Sequence, residues 1–200
     1  IRYEISYMCC ISILYIINST ILEIKRRDRI ISTNAPITEL ILKKSDKWLT
    51  RGVDEILKLG DEQQHKSNVK ANMTSWTIWK DTKYFNQLFN DITDILKALN
   101  LKGLRGPNRN PILTGCWGAH YKDNEKTQIH NHEPAWYSFV YYLKTDPNCA
   151  PIIFQGSNVD LPIYPKPNML ILFPAHLGHY VPPTKGERVV LAGNFFVNIN

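Results

Sequence analysis

Five short runs between Ile112 and Val197 constrain this chain more than any other feature. They are Ile112 to Tyr121, Trp136 to Lys144, Ile152 to Gln155, Met169 to Phe173 and Arg188 to Val197. Each is rich in β-branched and aromatic residues, and Pro, Asn or Gly separates one from the next. Such runs form strands, and strands at this cadence close into sandwiches or barrels. The residues before them read as helices. From Pro36 to Gly60, Ile37, Leu40, Ile41, Trp48, Val53, Ile56 and Leu57 recur at roughly helical spacing. From Asp81 to Asn100, Phe85, Leu88, Phe89, Ile92, Ile95, Leu96 and Leu99 make one stripe, with Asp81 placed to cap the start. Asp61 to Ser75 and Leu101 to Pro111 are polar or Gly/Pro-punctuated and read as loops. The fold class expected is mainly β with flanking helices (α+β): a double-stranded β-helix, or jelly roll, packed against N-terminal helices. One domain spans 31–200, with helices over about 37–100 and the jelly-roll core over about 111–198.

Composition agrees with a packed domain. Of 200 residues 44% are hydrophobic and 21% charged, which excludes a disordered or fibrous chain. The net charge of +6 is scattered over Lys25 to Arg29, Lys43 to Arg51 and Lys102 to Arg109, so no nucleic-acid surface is expected. Cys9, Cys10, Cys116 and Cys149 form no CxxC pair, which points to free thiols in a reducing cytoplasm. Residues 1–30 read as an N-terminal extension. Ile5 to Leu22 is uncharged and precedes Lys25, Arg26 and Arg27. Three readings fit it: a short membrane anchor, a β-hairpin, or a non-native extension. Its Ser, Asn and Thr content weighs against the anchor, and a membrane partner is not expected.

The chemistry-bearing residues fall in the β half. In Gln128-Ile129-His130-Asn131-His132-Glu133-Pro134, extended chain puts His130 and His132 on one face and turns Glu133 away. Two imidazoles so placed make a metal chelate. An apolar strand then delivers Phe173-Pro174, and His179 follows as the next strand begins, at the mouth of a jelly roll. Nine residues on, Arg188 opens the last strand, sharing a face with Val190, Ala192, Asn194 and Phe196. A cation on an inward face needs an anionic partner: a bound carboxylate or an internal Asp or Glu.

Taken together, Trp117-Gly118-Ala119-His120-Tyr121, Gln128 to His132, Tyr137 to Leu143, Phe173-Pro174 with His179 and Val181, and Arg188 to Asn194 resemble the 2-oxoglutarate/Fe(II)-dependent oxygenase superfamily. The nearest pattern is a group carrying HxH where prolyl hydroxylases carry HxD. The resemblance covers about Trp76 to Val197.

That resemblance implies an enzyme, a dioxygenase or hydroxylase, with Fe(II) at the open end of the barrel and 2-oxoglutarate as cosubstrate. His130 and His179 map to its metal-binding histidines, and Arg188 to the residue that grips the distal carboxylate of 2-oxoglutarate. The usual carboxylate ligand falls on His132. Four arrangements stay open: His132 as third ligand, two histidines plus water, Glu133 rotated inward, or metal binding without turnover. Tyr121 and Ser138 are candidates to donate a hydroxyl to 2-oxoglutarate, and Asn194 to orient a ligand or the arginine. His120 and His176 stand outside the ligand set, because oxygen activation needs open positions. The substrate, a small molecule or a peptide, is not legible. Two other functions fit: a three-His iron dioxygenase in which Arg188 binds the substrate's own carboxylate, and a non-catalytic jelly-roll binding module.

Overall fold

The computed structural model describes residues 11–17, 20–31, 35–60, 67–99, 109–157 and 159–199. Strands β1 (Ile11–Ile17), β2 (Thr20–Ile31) and β3 (Ala35–Ile41) precede helix α1 (Asp46–Leu59). Short strands β4 (Val69–Lys70) and β5 (Asn72–Met73) lead to α2 (Ile78–Asp81) and α3 (Asn86–Ala98). The β half runs through β6 (Arg109–Tyr121), β7 (Lys126–His130), β8 (Tyr137–Thr145), β9 (Ile152–Phe154) and β10 (Leu161–Ile163). It closes with β11 (Met169–Pro174), β12 (His179–Val181) and β13 (Arg188–Ile199).

These strands form two antiparallel sheets. The larger has the order β1-β2-β3-β11-β8-β13-β6-β5, and the smaller β10-β9-β12-β7-β4. Helices cover the outer face of the larger sheet, α1 against β8 and β6, and α2 and α3 against β6. Its strands β3, β11, β8, β13 and β6 are therefore buried on both sides, which explains their unbroken apolar runs. In β8, Phe139, Tyr141 and Leu143 pack under the helices, while Val140 and Tyr142 face the smaller sheet. In β11, Leu170 and Leu172 take the helix side, and Ile171 and Phe173 the inner side. The period of two decides each assignment.

The same double burial explains where the helical reading of Pro36 to Gly60 fails. Ala35–Ile41 is a strand paired with β11, Leu172 opposite Thr38 and Met169 opposite Ile41. Ile37 and Ile41 pack on the inner side and Leu40 on the helix side, so apolar residues stand at both parities. Their spacing then imitates a helix. The true helix begins at Asp46, where the Ser45 hydroxyl accepts from the Trp48 amide at 3.2 Å. Asp81 caps nothing: it ends α2 and accepts a hydrogen bond from Ser75. The loop reading of Asp61 to Ser75 is corrected by β4 and β5, each of two residues and stitched to β7 and β6. Residues 61–66 and 100–108, including His65, Gly103, Gly106 and Pro107, lie outside the described residues.

Where described, the uncharged N-terminal stretch is a hairpin. Strand β1 pairs with β2 from Ile17 opposite Thr20 to Ile11 opposite Arg26, and β2 pairs in turn with β3. No helix among the described residues is long and apolar enough to cross a membrane. Cys116 and Cys149 are buried free thiols, and burial pushes the Cys116 thiol well up; Cys9 and Cys10 lie outside the described residues.

One glycine shows how tightly the central strands meet. A Cβ on Gly193 would sit 2.6 Å from the carbonyl oxygen of Gly115 on β6 and 2.6 Å from the Phe139 ring on β8. Backbone cannot yield there without opening the ladder. Gly193→Ala should lower unfolding free energy by about 2–3 kcal/mol, the upper range for overpacking. Urea denaturation would read it as a lower midpoint at unchanged slope. An unchanged midpoint would contradict this packing.

Candidate metal centre

The smaller sheet brings two histidines face to face. His179 on β12 stands directly opposite His130 on β7, and Phe154 of β9 flanks His179 on the other side. His132 lies two residues beyond the end of β7. Its position comes from two backbone bonds to the turn that follows β11: His132 N–H to Ala175 O at 2.8 Å, and Ala175 N–H to Trp136 O at 3.0 Å. The ring centroids of His130 and His179 are 4.4 Å apart, and His132 sits 4.8 Å and 5.0 Å from them. One nitrogen from each ring lies within 4.8 Å of the other two, near enough for modest ring rotations to close them on one ion.

The protonation pattern of two rings follows from their partners. His130 Nδ1 lies 2.8 Å from the Gln128 carbonyl and His179 Nδ1 2.9 Å from the Leu177 carbonyl. A carbonyl only accepts, so both Nδ1 atoms carry the proton and donate it, leaving Nε2 with its lone pair free. This backbone anchoring orients a metal-binding imidazole. Burial, then the neighbouring imidazoles of His179 and His130, depress His132 to about 2. Burial and His130 depress His179 to about 3, and burial lowers His130 as well. All three rings are neutral at neutral pH, as ligands must be.

That neutrality has a measurable consequence for the metal-free protein. Unfolded histidines take up protons as pH falls through about 6.5, whereas folded His132 and His179 resist until about 2 and 3. The unfolded state binds more protons across that window, so stability should fall as pH is lowered through it. Urea midpoints at pH 7 and pH 5 would show the drop, and His132→Asn should lessen it. A midpoint independent of both pH and this substitution would contradict the burial of these rings.

The triad opens into a narrow cavity between the sheets. Trp117, Phe173, Tyr142 and Ile152 build much of its wall, and Arg188 lines it together with Val190 and Ala192. Val189 and Leu191 pack under the helices, so strand alternation turns Arg188 inward. Arg188 is 2% exposed. Its guanidinium lies over the Tyr121 ring, 4.1 Å from the centroid, on the residue directly opposite in β6. One Nη donates to the Ala150 carbonyl at 3.3 Å, while the buried Nε has no hydrogen-bond partner. No carboxylate pairs with this arginine among the described residues.

The remaining candidates share the inner face but divide in place. Tyr121 lines the cavity, with its hydroxyl 2.7 Å from the Thr127 hydroxyl. Ser138 and Asn194 stand opposite each other across β8 and β13, and the Ser138 hydroxyl donates to Asn194 Oδ1 at 2.9 Å. Both lie outside the cavity wall. Glu133 is exposed and its carboxylate accepts from the Asn131 amide at 3.4 Å, away from the triad. His120 is buried with Nε2 2.7 Å from Glu187, and His176 is exposed; neither joins the triad. Trp136 is 41% exposed, while Trp117 is buried in the wall. The Ala150 carbonyl accepts from the arginine, and Thr127 meets the Tyr121 hydroxyl. Sequence offers no signal for either, since each acts through a contact set by strand register.

Comparison with solved structures agrees with this architecture. A prolyl-4-hydroxylase from Pseudomonas putida superposes with a TM-score of 0.63 at 16% identity, over 80% of this chain and 91% of that one. The viral collagen prolyl hydroxylase of Paramecium bursaria Chlorella virus-1, solved with 2-oxoglutarate (2OG), gives 0.62 at 12% identity over 82% and 96%. This chain has the prolyl-hydroxylase fold. A third structure with that fold, the Trichoplax adhaerens prolyl hydroxylase bound to a peptide of hypoxia inducible factor, gives 0.59 at 17% identity over 75% and 78%. No protein-family model matches the sequence, and no curated protein does.

Proposed function

We propose that the chain is an Fe(II)- and 2-oxoglutarate-dependent oxygenase acting on a peptide or small molecule. One observation carries this reading: a buried guanidinium with a free Nε shares a cavity with three imidazoles, each with a nitrogen within 4.8 Å of the other two. A short dicarboxylic keto acid has the ends for both. Bound iron and 2-oxoglutarate supply the oxidation, in which dioxygen is consumed, 2-oxoglutarate leaves as succinate and carbon dioxide, and the substrate gains a hydroxyl.

In this reading His130, His132 and His179 would hold the metal, three protein ligands being the most that oxygen activation allows. Arg188 grips the distal carboxylate through two guanidinium nitrogens, one of them the orphaned Nε. The Tyr121 ring beneath it fixes the plane of the fork, and its hydroxyl stands near enough to Thr127 for either to turn toward the ligand. Ser138 and Asn194, bonded to each other, brace the strand pair that carries Arg188. Trp117, Phe173 and Tyr142 keep water from the reacting centre. Free buried thiols at Cys116 and Cys149 suit a reducing cytoplasm.

The test needs no substrate. Protein reconstituted anaerobically with Fe(II) and then exposed to oxygen should release succinate only when 2-oxoglutarate is present. Oxygen uptake independent of 2-oxoglutarate would favour a three-His dioxygenase, the reading that His132 in place of a carboxylate supports. No iron binding would favour a binding module.

A further inference from the structure

The cavity carries charge of one sign. Among the described residues its wall contains Arg188 and three imidazoles, and no Asp or Glu. His130 and His179 keep Nδ1–H bonded to backbone carbonyls, so they reach a metal as neutral donors. His132 sits between the rings of Trp117, 5.8 Å away, and Phe173, 6.2 Å away, and offers an imidazole where a carboxylate would bring a negative charge. Glu133 is turned outward onto Asn131. Glu39 on β3 is felt at Tyr142 but lies outside the wall and has interactions of its own.

A divalent ion entering this cavity alone would therefore meet a fixed guanidinium and no anion. Both charges are surrounded by aromatic and aliphatic wall, where screening by water is weak. A dicarboxylate changes the balance, placing one negative end at the metal and the other at Arg188. We propose that metal and dicarboxylate are mutually dependent ligands of this chain, so that the ion is held firmly only while the dianion is bound. This rests on the oxygenase reading above and adds to it a control: occupancy by metal follows the supply of dicarboxylate. The neutral His132 is the residue that makes it so. By linkage the dependence is reciprocal, and the metal strengthens dicarboxylate binding by the same factor.

Equilibrium dialysis of the whole protein with Co(II), free metal held by a buffer, measures this without turnover. Adding 2-oxoglutarate should tighten Co(II) by about 30-fold or more, within the range of strong two-site coupling. The reverse titration should return the same factor. With 2-oxobutanoate, a keto acid lacking the distal carboxylate, the factor should be smaller. His132→Asp should bind Co(II) more tightly than wild type without 2-oxoglutarate, and its coupling should shrink below about fivefold, the weak end of such effects. Co(II) and 2-oxoglutarate binding independently in the wild type, or a coupling as large in His132→Asp, would overturn the proposal while leaving the oxygenase reading intact. Failure of Co(II) to bind under any of these conditions would overturn both.

Discussion

His179→Ala should leave a folded protein that no longer retains its metal. His179 is 4% exposed, pinned by its Nδ1–H to Leu177 O and opposed across the ladder by His130, so it is the most firmly placed of the three donors. Removing it strips one of three protein ligands and leaves a gap against Phe154 and Phe173, whose rings lie 5.6 Å and 4.9 Å away. Losing an outer-shell partner already weakens metal binding by about 10- to 100-fold, and loss of a direct donor should exceed that. His130→Ala should behave alike. His132→Ala should have a graded effect, because His132 sits beyond the strand and is positioned by a backbone bond to Ala175 rather than by a bond to its own ring. Metal content after dialysis with 2-oxoglutarate present throughout, and circular dichroism to verify folding, reads all three. Full metal stoichiometry in every variant would place the site elsewhere.

Arg188→Met should remove most of the affinity for 2-oxoglutarate while leaving the three candidate metal ligands in place. The methionine fills similar space and leaves nothing to meet a carboxylate in a dry cavity. The loss should be on the order of 2 to 4 kcal/mol, the cost of a charge-assisted pair left unmade, which is about 30- to 1,000-fold in affinity. Arg188→Lys should keep part of it: an ammonium retains the charge but loses the planar fork and its stacking on Tyr121. Equilibrium dialysis with labelled 2-oxoglutarate, under saturating metal, separates the three proteins. Equal affinity in wild type and Arg188→Met would remove 2-oxoglutarate from this cavity even with a metal at the triad.

Much of this was legible in the sequence, for a physical reason that also marks its limit. Strands β6, β8, β11 and β13 announce themselves as runs of apolar, β-branched and aromatic residues set off by Pro, Asn or Gly. Strand β3 does not, since burial on both faces gives it apolar residues at helical spacing. Strand β10 has three residues, and β4 and β5 two each, too few for a period to show. The two strand histidines were readable from their spacing and from the turn at Phe173-Pro174. What sequence does not contain is register. The stack of Arg188 on Tyr121, the Ser138–Asn194 pair, and the orphaned Nε all depend on which residues stand opposite across β6, β8 and β13. The outward turn of Glu133, by contrast, was legible from strand alternation, and Asn131 holds it there.

The claim that triad and arginine together hold a metal-chelated keto acid can be tested in one titration. Adding 2-oxoglutarate anaerobically to the Fe(II)-loaded protein should produce a metal-to-ligand charge-transfer band in the visible spectrum that saturates at one equivalent. The band should be absent in His179→Ala, and at the same ligand concentrations in Arg188→Met. A protein that holds Fe(II) but develops no band at saturating 2-oxoglutarate, or one whose band is unchanged in Arg188→Met, would contradict the account.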